Sequence, residues 1–236
     1  MFAMYKGRTI TVVIPCLNEE DAVGHTLGKI PDVIDEIIVA DNGSTDNSPV
    51  IAEKGGAKVV IEPRRGYGYA LKAGIGAATK DIVVTMDGDG TYPIEDIREV
   101  LDSMFERDLD FVSGRRLPLM TPKAMGRTNI FGTKVLGIIA LILFGFRSKD
   151  ILSGMWFFKR EVFPRYKLIS NDWNLSEEIK IEARRTSRYG EHHINHHIRL
   201  GETKLLKWRV GVENVFFLFW KRLFRYKALP KWLKLT

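Results

Sequence analysis

The stretch Val83-Val84-Thr85-Met86-Asp87-Gly88-Asp89-Gly90-Thr91-Tyr92-Pro93 constrains this chain more than any other. A β-branched run that stops at two carboxylates one residue apart, each beside a glycine, reads as a buried strand carrying acids to the edge of a sheet. Carboxylates at i and i+2 repel unless a cation lies between them and its partners, and hard divalent ions such as Mg2+ or Mn2+ suit such oxygen ligands. Gly88 and Gly90 leave room for a bulky group to approach the backbone. A second reading stays open: a polar strand-to-helix turn, with Thr91 or Asp89 as N-cap and Pro93 in the first helical turn.

The flanking sequence decides what kind of sheet this is. Thr9–Ile14 is a β-branched strand stopped by Pro15, with a helix expected over Glu19–Lys29. Glu36–Asp41 is a second strand, followed by the turn Asn42–Asp46 and a helix to about Lys54. Lys58–Glu62 and the glycine-spaced segment Gly66–Ala78 form a third unit, and Asp81–Met86 is the fourth strand. Alternation at this spacing predicts an α/β fold with an open, mostly parallel sheet and helices on both faces. Ligands of such sheets bind at the carboxyl ends of the strands. Pro15–Glu19, Asp41–Ser44, Arg64–Gly68 and Asp87–Asp89 all fall there.

Beyond Gly90 the texture changes. Ile94, Ile97, Leu101, Met104 and Phe105 give a helix an apolar, core-facing stripe. Phe111–Arg116 is a short strand ending in two bases. Val135–Phe146 is almost wholly apolar but, at twelve residues, too short to span a bilayer, so a buried or interfacial helix is expected. From His193 to Leu200 polar and apolar residues alternate, predicting a strand with His193, His197 and Arg199 on one face. From Trp208 to Trp232 aromatics and bases interleave without a spanning run, as in a helix lying in a headgroup layer; a terminal helix packed on the domain is the alternative.

Charge sharpens that last point. The net charge is +7, yet the segment from Lys207 onward holds eight bases and one acid, so the preceding residues are formally neutral. A basicity so localised argues for an anionic surface as partner rather than for coating nucleic acid. One cysteine, Cys16, excludes an internal disulfide, and residues 1–9 contain no secretory apolar core, from which cytoplasmic residence, peripheral on a membrane face, is expected. There is no Walker loop, no GxGxxG after the first strand and no GxSxG elbow, which removes P-loop, dinucleotide-binding and serine-hydrolase chemistries.

The remaining motifs, in order, are Val-Val-Ile-Pro15-Cys-Leu17-Asn-Glu19, Val-Ala-Asp41-Asn42-Gly-Ser, Arg64-Arg65-Gly66-Tyr-Gly-Tyr-Ala, Met-Asp87-Gly88-Asp89, Ser-Gly-Arg115, Asp150-Ile-Leu-Ser-Gly-Met and Arg199-Leu-Gly-Glu-Thr-Lys204-Leu. Over roughly residues 9–206 this order resembles the inverting family 2 glycosyltransferases of the GT-A fold, in particular the dolichyl-phosphate mannose and glucose synthases. The resemblance implies a Rossmann-like catalytic domain over 1–206 and a basic, aromatic membrane-interface tail over 207–236. It implies that Pro15, Leu17, Glu19, Asp41, Asn42, Arg65, Gly66, Asp87 and Gly88 receive a nucleotide diphosphate sugar such as GDP-mannose or UDP-glucose. Asp87 and Asp89 would bracket a divalent metal, Mg2+ or Mn2+. Arg115, Arg127, Arg199 and Lys204 match phosphate-handling positions. Two departures stand out: Arg64 where the family begins its glycine loop with asparagine, and Trp156 where it has arginine.

A polyprenyl phosphate acceptor agrees with this residue set. A phosphate monoester near neutral pH is already largely a dianion and needs cations to hold it, whereas a sugar hydroxyl needs a base. Glu178 is expected in a supporting role, orienting an arginine or capping a helix. Transfer to a glycan or glycolipid hydroxyl, and a silent sugar-nucleotide-binding or membrane-scaffold protein, are the alternatives.

Overall fold

In the computed structural model, residues 4–199 and 207–224 are described. The strands β1 (Ile10–Cys16), β2 (Glu36–Asp41), β3 (Lys58–Ile61), β4 (Ile82–Thr85), β5 (Phe111–Arg115), β6 (Trp156–Lys159) and β7 (Tyr189–His193) form one seven-stranded sheet in the order β3-β2-β1-β4-β6-β5-β7. All run parallel except β6, which is antiparallel to both β4 and β5.

Strand alternation assigns each face its own core. Ile10, Val12 and Ile14 point to one side, where Val23 and Leu27 of α1 (Glu20–Leu27), Ala52 of α2 (Ser48–Lys54) and Ile97, Val100, Leu101 and Met104 of α4 (Ile97–Glu106) cover them. Val13, Ile38, Val83, Phe111, Trp156 and Phe158 point to the other. There they meet Leu71 and Ile75 of α3 (Tyr67–Ala77) and Leu175, Ile179 and Ala183 of α6 (Leu175–Thr186). The expected stripe of α4 is therefore core. Trp156 is fully buried, its indole Nε1 donating to Ser153 O at 2.7 Å, so the position that departs from the family pattern serves packing.

Two expectations are corrected. The apolar helix α5 spans Arg127–Phe144, eighteen residues rather than twelve, because Gly126 and Gly145 set its ends; by length and composition it could cross a membrane. One side of it is committed to protein, with Leu136 and Ala140 in a third cluster with Ile181 of α6 and Leu218 of α7 (Lys207–Phe224). The histidine-rich strand ends at His193. Ile194 and His196 remain buried, but no further strand lies alongside, and the chain crosses to the sheet rim where His197 N donates to Thr91 O at 2.8 Å.

Helix α6 is buried on all sides, which sequence polarity hides: Glu177, Glu178, Lys180 and Glu182 are all within 2% of complete burial. Buried charge persists only when paired. Lys180 Nζ donates to Asp150 O and Ile151 O, and its burial pushes the ammonium down to about 7. Glu178 accepts from Ile169 N, Ser170 N and Lys221 Nζ of α7, so it orients a loop and pairs a lysine rather than an arginine, and Asn174, not Glu178, is the N-cap residue. Lys221 also reaches Glu182 at 2.9 Å. With Phe217 and Leu218 fully buried, α7 is built into the domain along this edge.

Candidate active site

The carboxyl ends of β1, β2 and β4 deliver three loops to one rim. After β2, the Asp41 carboxylate accepts from Gly43 N and Ser44 N, and Asn42 donates to Glu62 O and Arg64 O while accepting from Gly66 N at 2.8 Å. Asn42 thus locks the Arg64–Gly66 loop. Gly66 has φ +141° and a Cβ there would lie 2.4 Å from Asn171 O, so both conformation and packing demand glycine. Arg64, the other departure, forms an ion pair with Glu62 at 2.7 Å and lies over the Tyr69 ring, a local role.

After β4, Asp87 accepts from Tyr67 OH at 2.9 Å, and Tyr67 stacks on Trp173 with ring centroids 4.5 Å apart. Thr91 N and Oγ1 both donate to Asp89 Oδ1, closing the turn. Arg199 bridges the rim, with Nη1 on Asp89 at 2.7 Å and Nη2 on Glu19 at 3.0 Å. Burial, reinforced by the neighbouring Asp89 charge, pushes the Asp87 carboxyl up to about 7. An acid held there in want of a cation is the electrostatic state expected of a site that receives one.

Two cavities meet at this point and share Tyr67, Asp87, Asp89, Trp173 and Arg199 as a common wall. The smaller, about 170 Å³, is lined by Pro15, Leu17, Glu19, Asn42 and Gly88 among others. The larger, about 470 Å³, runs under the start of α5 and beside α7, and adds Arg116, Lys123, His196 and Asn214. Cys16 lines the smaller cavity, but burial pushes its thiol up to about 11, so it brings no thiolate chemistry.

The sequence-expected residues therefore separate. Pro15, Leu17, Glu19, Asn42, Asp87, Gly88, Asp89 and Arg199 come together around the cavities. Asp41 and Gly66 support them from behind, and Arg65 is exposed with its guanidinium beside Gly43. Arg115 is not at either cavity and donates to Leu117 O at 2.6 Å, while Arg127 is exposed at the start of α5, between the cavity-lining Gly126 and Thr128. Lys204 lies outside the described residues.

Arg116, Tyr67, Trp173 and His196 are the residues that sequence reasoning missed. Arg116 is the cavity cation in place of its neighbour: it is paired with Asp150 through Nε and Nη2 at 2.7 and 2.8 Å. Although burial opposes ionisation, that guanidinium holds the Asp150 carboxyl down to about 2. The Arg115-Arg116 doublet was the available signal, but one residue of phase at a strand end reverses which side chain turns inward.

His196 packs edge-on against Tyr92, and burial followed by the Arg116 charge pushes its imidazole down to about 4. In the unfolded chain the same group titrates near 6.5. Between those values the unfolded state binds more protons, so stability is fully present above pH 6.5 and lost as pH falls towards 4. The shift corresponds to roughly 3 kcal/mol. Denaturation of the wild type and of His196→Phe across this window should show the variant with the flatter pH dependence; parallel curves would mean the ring is protonated in the folded protein.

Among the described residues no group of three His, Cys, Asp or Glu side chains is arranged to hold a metal, so Asp87 and Asp89 present an open pair of carboxylates. That open, all-oxygen donor set suits Mg2+ or Mn2+, which keep waters and substrate phosphates as ligands.

Comparison with known proteins agrees with this geometry. Residues 11–167 match the glycosyl transferase family 2 domain. A dolichyl-phosphate hexose transferase of Haloferax volcanii is 36% identical over 205 residues, covering 85% of this chain and 88% of that protein. An uncharacterised glycosyltransferase of Mycobacterium tuberculosis is 42% identical over 113 residues, 48% of this chain, and the match spans about half of that relative, 51%. The crystal structure of glucosyl-3-phosphoglycerate synthase from Mycobacterium tuberculosis, in complex with Mn2+, UDP-glucose and phosphoglyceric acid, superposes with a TM-score of 0.72 at 24% identity, over 92% of this chain and 80% of that one. The chain belongs to glycosyl transferase family 2, and its seven-stranded sheet with flanking helices is the GT-A, Rossmann-like fold.

Proposed function

We propose that this chain transfers a hexose from a nucleotide diphosphate sugar to a polyprenyl phosphate, with inversion at the anomeric carbon, while attached peripherally to the cytoplasmic face of a membrane. The observation that carries the reading is the lining of the larger cavity: Arg116, Lys123 and Arg199 contribute cations, its carboxylates among the described residues are Asp87 and Asp89, both assigned to the metal, and the His196 imidazole, pushed down to about 4, is a poor base. A hydroxyl acceptor would need a base there, whereas a phosphate needs positive charge alone. The Haloferax relative, named for dolichyl-phosphate hexose transfer, supports the same acceptor class.

In this reading the smaller cavity receives the nucleotide of UDP-glucose or GDP-mannose against Pro15, Leu17, Glu19 and Asn42, on a floor held by Asp41 and Gly66. Asp87 and Asp89 hold Mg2+ or Mn2+, which when bound offsets charge on the departing diphosphate. Arg199 exchanges its hold on Asp89 for a phosphate oxygen, freeing the carboxylate for its ligand role. Arg116, fixed by Asp150, retains Nη1 for the acceptor phosphate, and Lys123 and Arg127 add positive charge around its approach. An acceptor oxygen forms the new bond to the anomeric carbon from the face opposite the diphosphate, which leaves with the electron pair of the broken C–O bond. No proton has to be removed from the dianion.

Attachment follows from the outer surface of the two long helices. Phe131, Ile138 and Ile142 of α5 and Phe216, Phe219 and Leu223 of α7 are all exposed, and the sequence that continues from α7 is basic. An apolar face flanked by bases lies in the headgroup layer of anionic lipid. The reading is tested with labelled sugar nucleotides and a pair of lipids that differ only in the head. Polyprenyl phosphate should be glycosylated and the corresponding polyprenol should not; comparable transfer to the alcohol would contradict it.

A further inference from the structure

We infer that the groove between α5 and α7 is the channel for the isoprenoid chain of the acceptor, and that Gly132 and Gly211 keep it open. This rests on the prenyl phosphate reading above and assigns the lipid's path within it. The groove measures about 310 Å³ and, among the described residues, is lined by apolar side chains and glycine, including Phe131, Val135, Val212 and Phe216. It is continuous with the larger cavity, since Gly132, Leu136 and Gly211 line both. Its other end opens beside Phe131, Val212 and Phe216, which are 69%, 45% and 54% exposed. The polar cavity that holds the acid pair thus adjoins an apolar groove that leads to the face proposed to meet the membrane. A lipid whose phosphate sits by Arg116 can leave its tail there without exposing it to water.

The two glycines give independent support. Each lies inside a helix, where glycine costs roughly 0.5–1 kcal/mol relative to alanine. Neither has a positive φ, and a Cβ built at either meets no atom within 4 Å. By contrast a Cβ at Gly74 would lie 2.5 Å from Val13 Cγ1, so close packing explains that glycine. Neither backbone conformation nor packing explains Gly132 or Gly211; the same is true of Gly76 in α3, but Gly132 and Gly211 line the groove from its two helices. What a side chain there would occupy is the groove.

The experiment compares kcat/KM for a long polyprenyl phosphate and for dimethylallyl phosphate, in Gly132→Leu and Gly211→Leu. Excluding one isoprene unit forfeits the burial of several methylene equivalents, so the long-to-short ratio should fall about 100-fold relative to wild type. A ratio unchanged in both variants would overturn the channel while leaving the acceptor class standing. Wild-type inactivity on every prenyl phosphate would overturn the acceptor class and the channel with it. A reversible plug guards against misfolding. Gly132→Cys is modified with an alkyl methanethiosulfonate and then reduced, the one native cysteine being buried. The ratio should fall on modification and recover on reduction, and a ratio indifferent to both steps would again overturn the channel.

Discussion

Asp87→Asn and Asp89→Asn should each lower hexose transfer on the order of 10³-fold, because each removes half of the two-carboxylate set that would hold the divalent ion, whose charge would offset that of the departing diphosphate. The same substitutions should differ in their effect on stability. Asp87 is pushed up to about 7 by burial and then by the Asp89 charge, so between the unfolded carboxylate range and pH 7 the folded state binds more protons, and ionised Asp87 is a burden to the fold. With metal removed by chelator at pH 8, Asp87→Asn should therefore melt no lower than wild type, and above it if Tyr67 OH retains its acceptor. Asp89→Asn loses the ion pair with Arg199 and should melt lower. Full activity of either variant would return the acid pair to the simpler role of a strand-to-helix turn.

The second large effect is at Lys221. Its ammonium, 3% exposed, is shared by Glu178 and Glu182, which are themselves buried, and it also donates to Lys167 O. Lys221→Met removes the ammonium shared by these buried carboxylates, leaving Glu178 to the amides of Ile169 and Ser170 and Glu182 to Arg185, and should cost about 3 kcal/mol in chemical denaturation. A loss below about 1 kcal/mol would mean that Lys221 reaches water, as an exposed pair does. The result bears on the C-terminal helix as a whole. Its inner edge, through Phe217, Leu218 and Lys221, is part of the fold, while its outer edge is free to meet lipid. Removing all residues after Leu206 should consequently destabilise the protein as well as detach it from membranes.

The fold was legible where one physical pattern acts alone. The β-branched run before Asp87, the alternation of short strands with helices, and the apolar stripe of α4 each announced an element found in the structure. The donor side of the site was legible for the same reason, because the carboxyl ends of parallel strands must meet at one rim. Legibility failed where a partner distant in sequence decides. Glu178, Lys180 and Glu182 resemble solvated helix residues, and partners outside their own turn of helix, Lys221, the amides of Ile169 and Ser170 and the carbonyls after α5, make their burial tolerable. The alternation of Ile194 and His196 describes burial correctly, yet the ladder with β5 stops at Ile194 N on Arg115 O, and the next amides go to the Asp96 carboxylate and to Thr91 O rather than to a strand. Arg199 makes its contact with Asp89 across 110 positions, which spacing cannot foretell and which family resemblance could only suggest.

The bond formed distinguishes a phosphate acceptor from a hydroxyl acceptor, and 31P NMR with proton coupling on the lipid product reads that bond directly. After incubation with a nucleotide hexose and Mg2+ or Mn2+, the polyprenyl phosphate monoester resonance should give way to a phosphodiester coupled to an anomeric proton, with the anomeric configuration opposite to that of the donor. An unchanged monoester with sugar attached elsewhere, or a diester that keeps the donor's configuration, would contradict it.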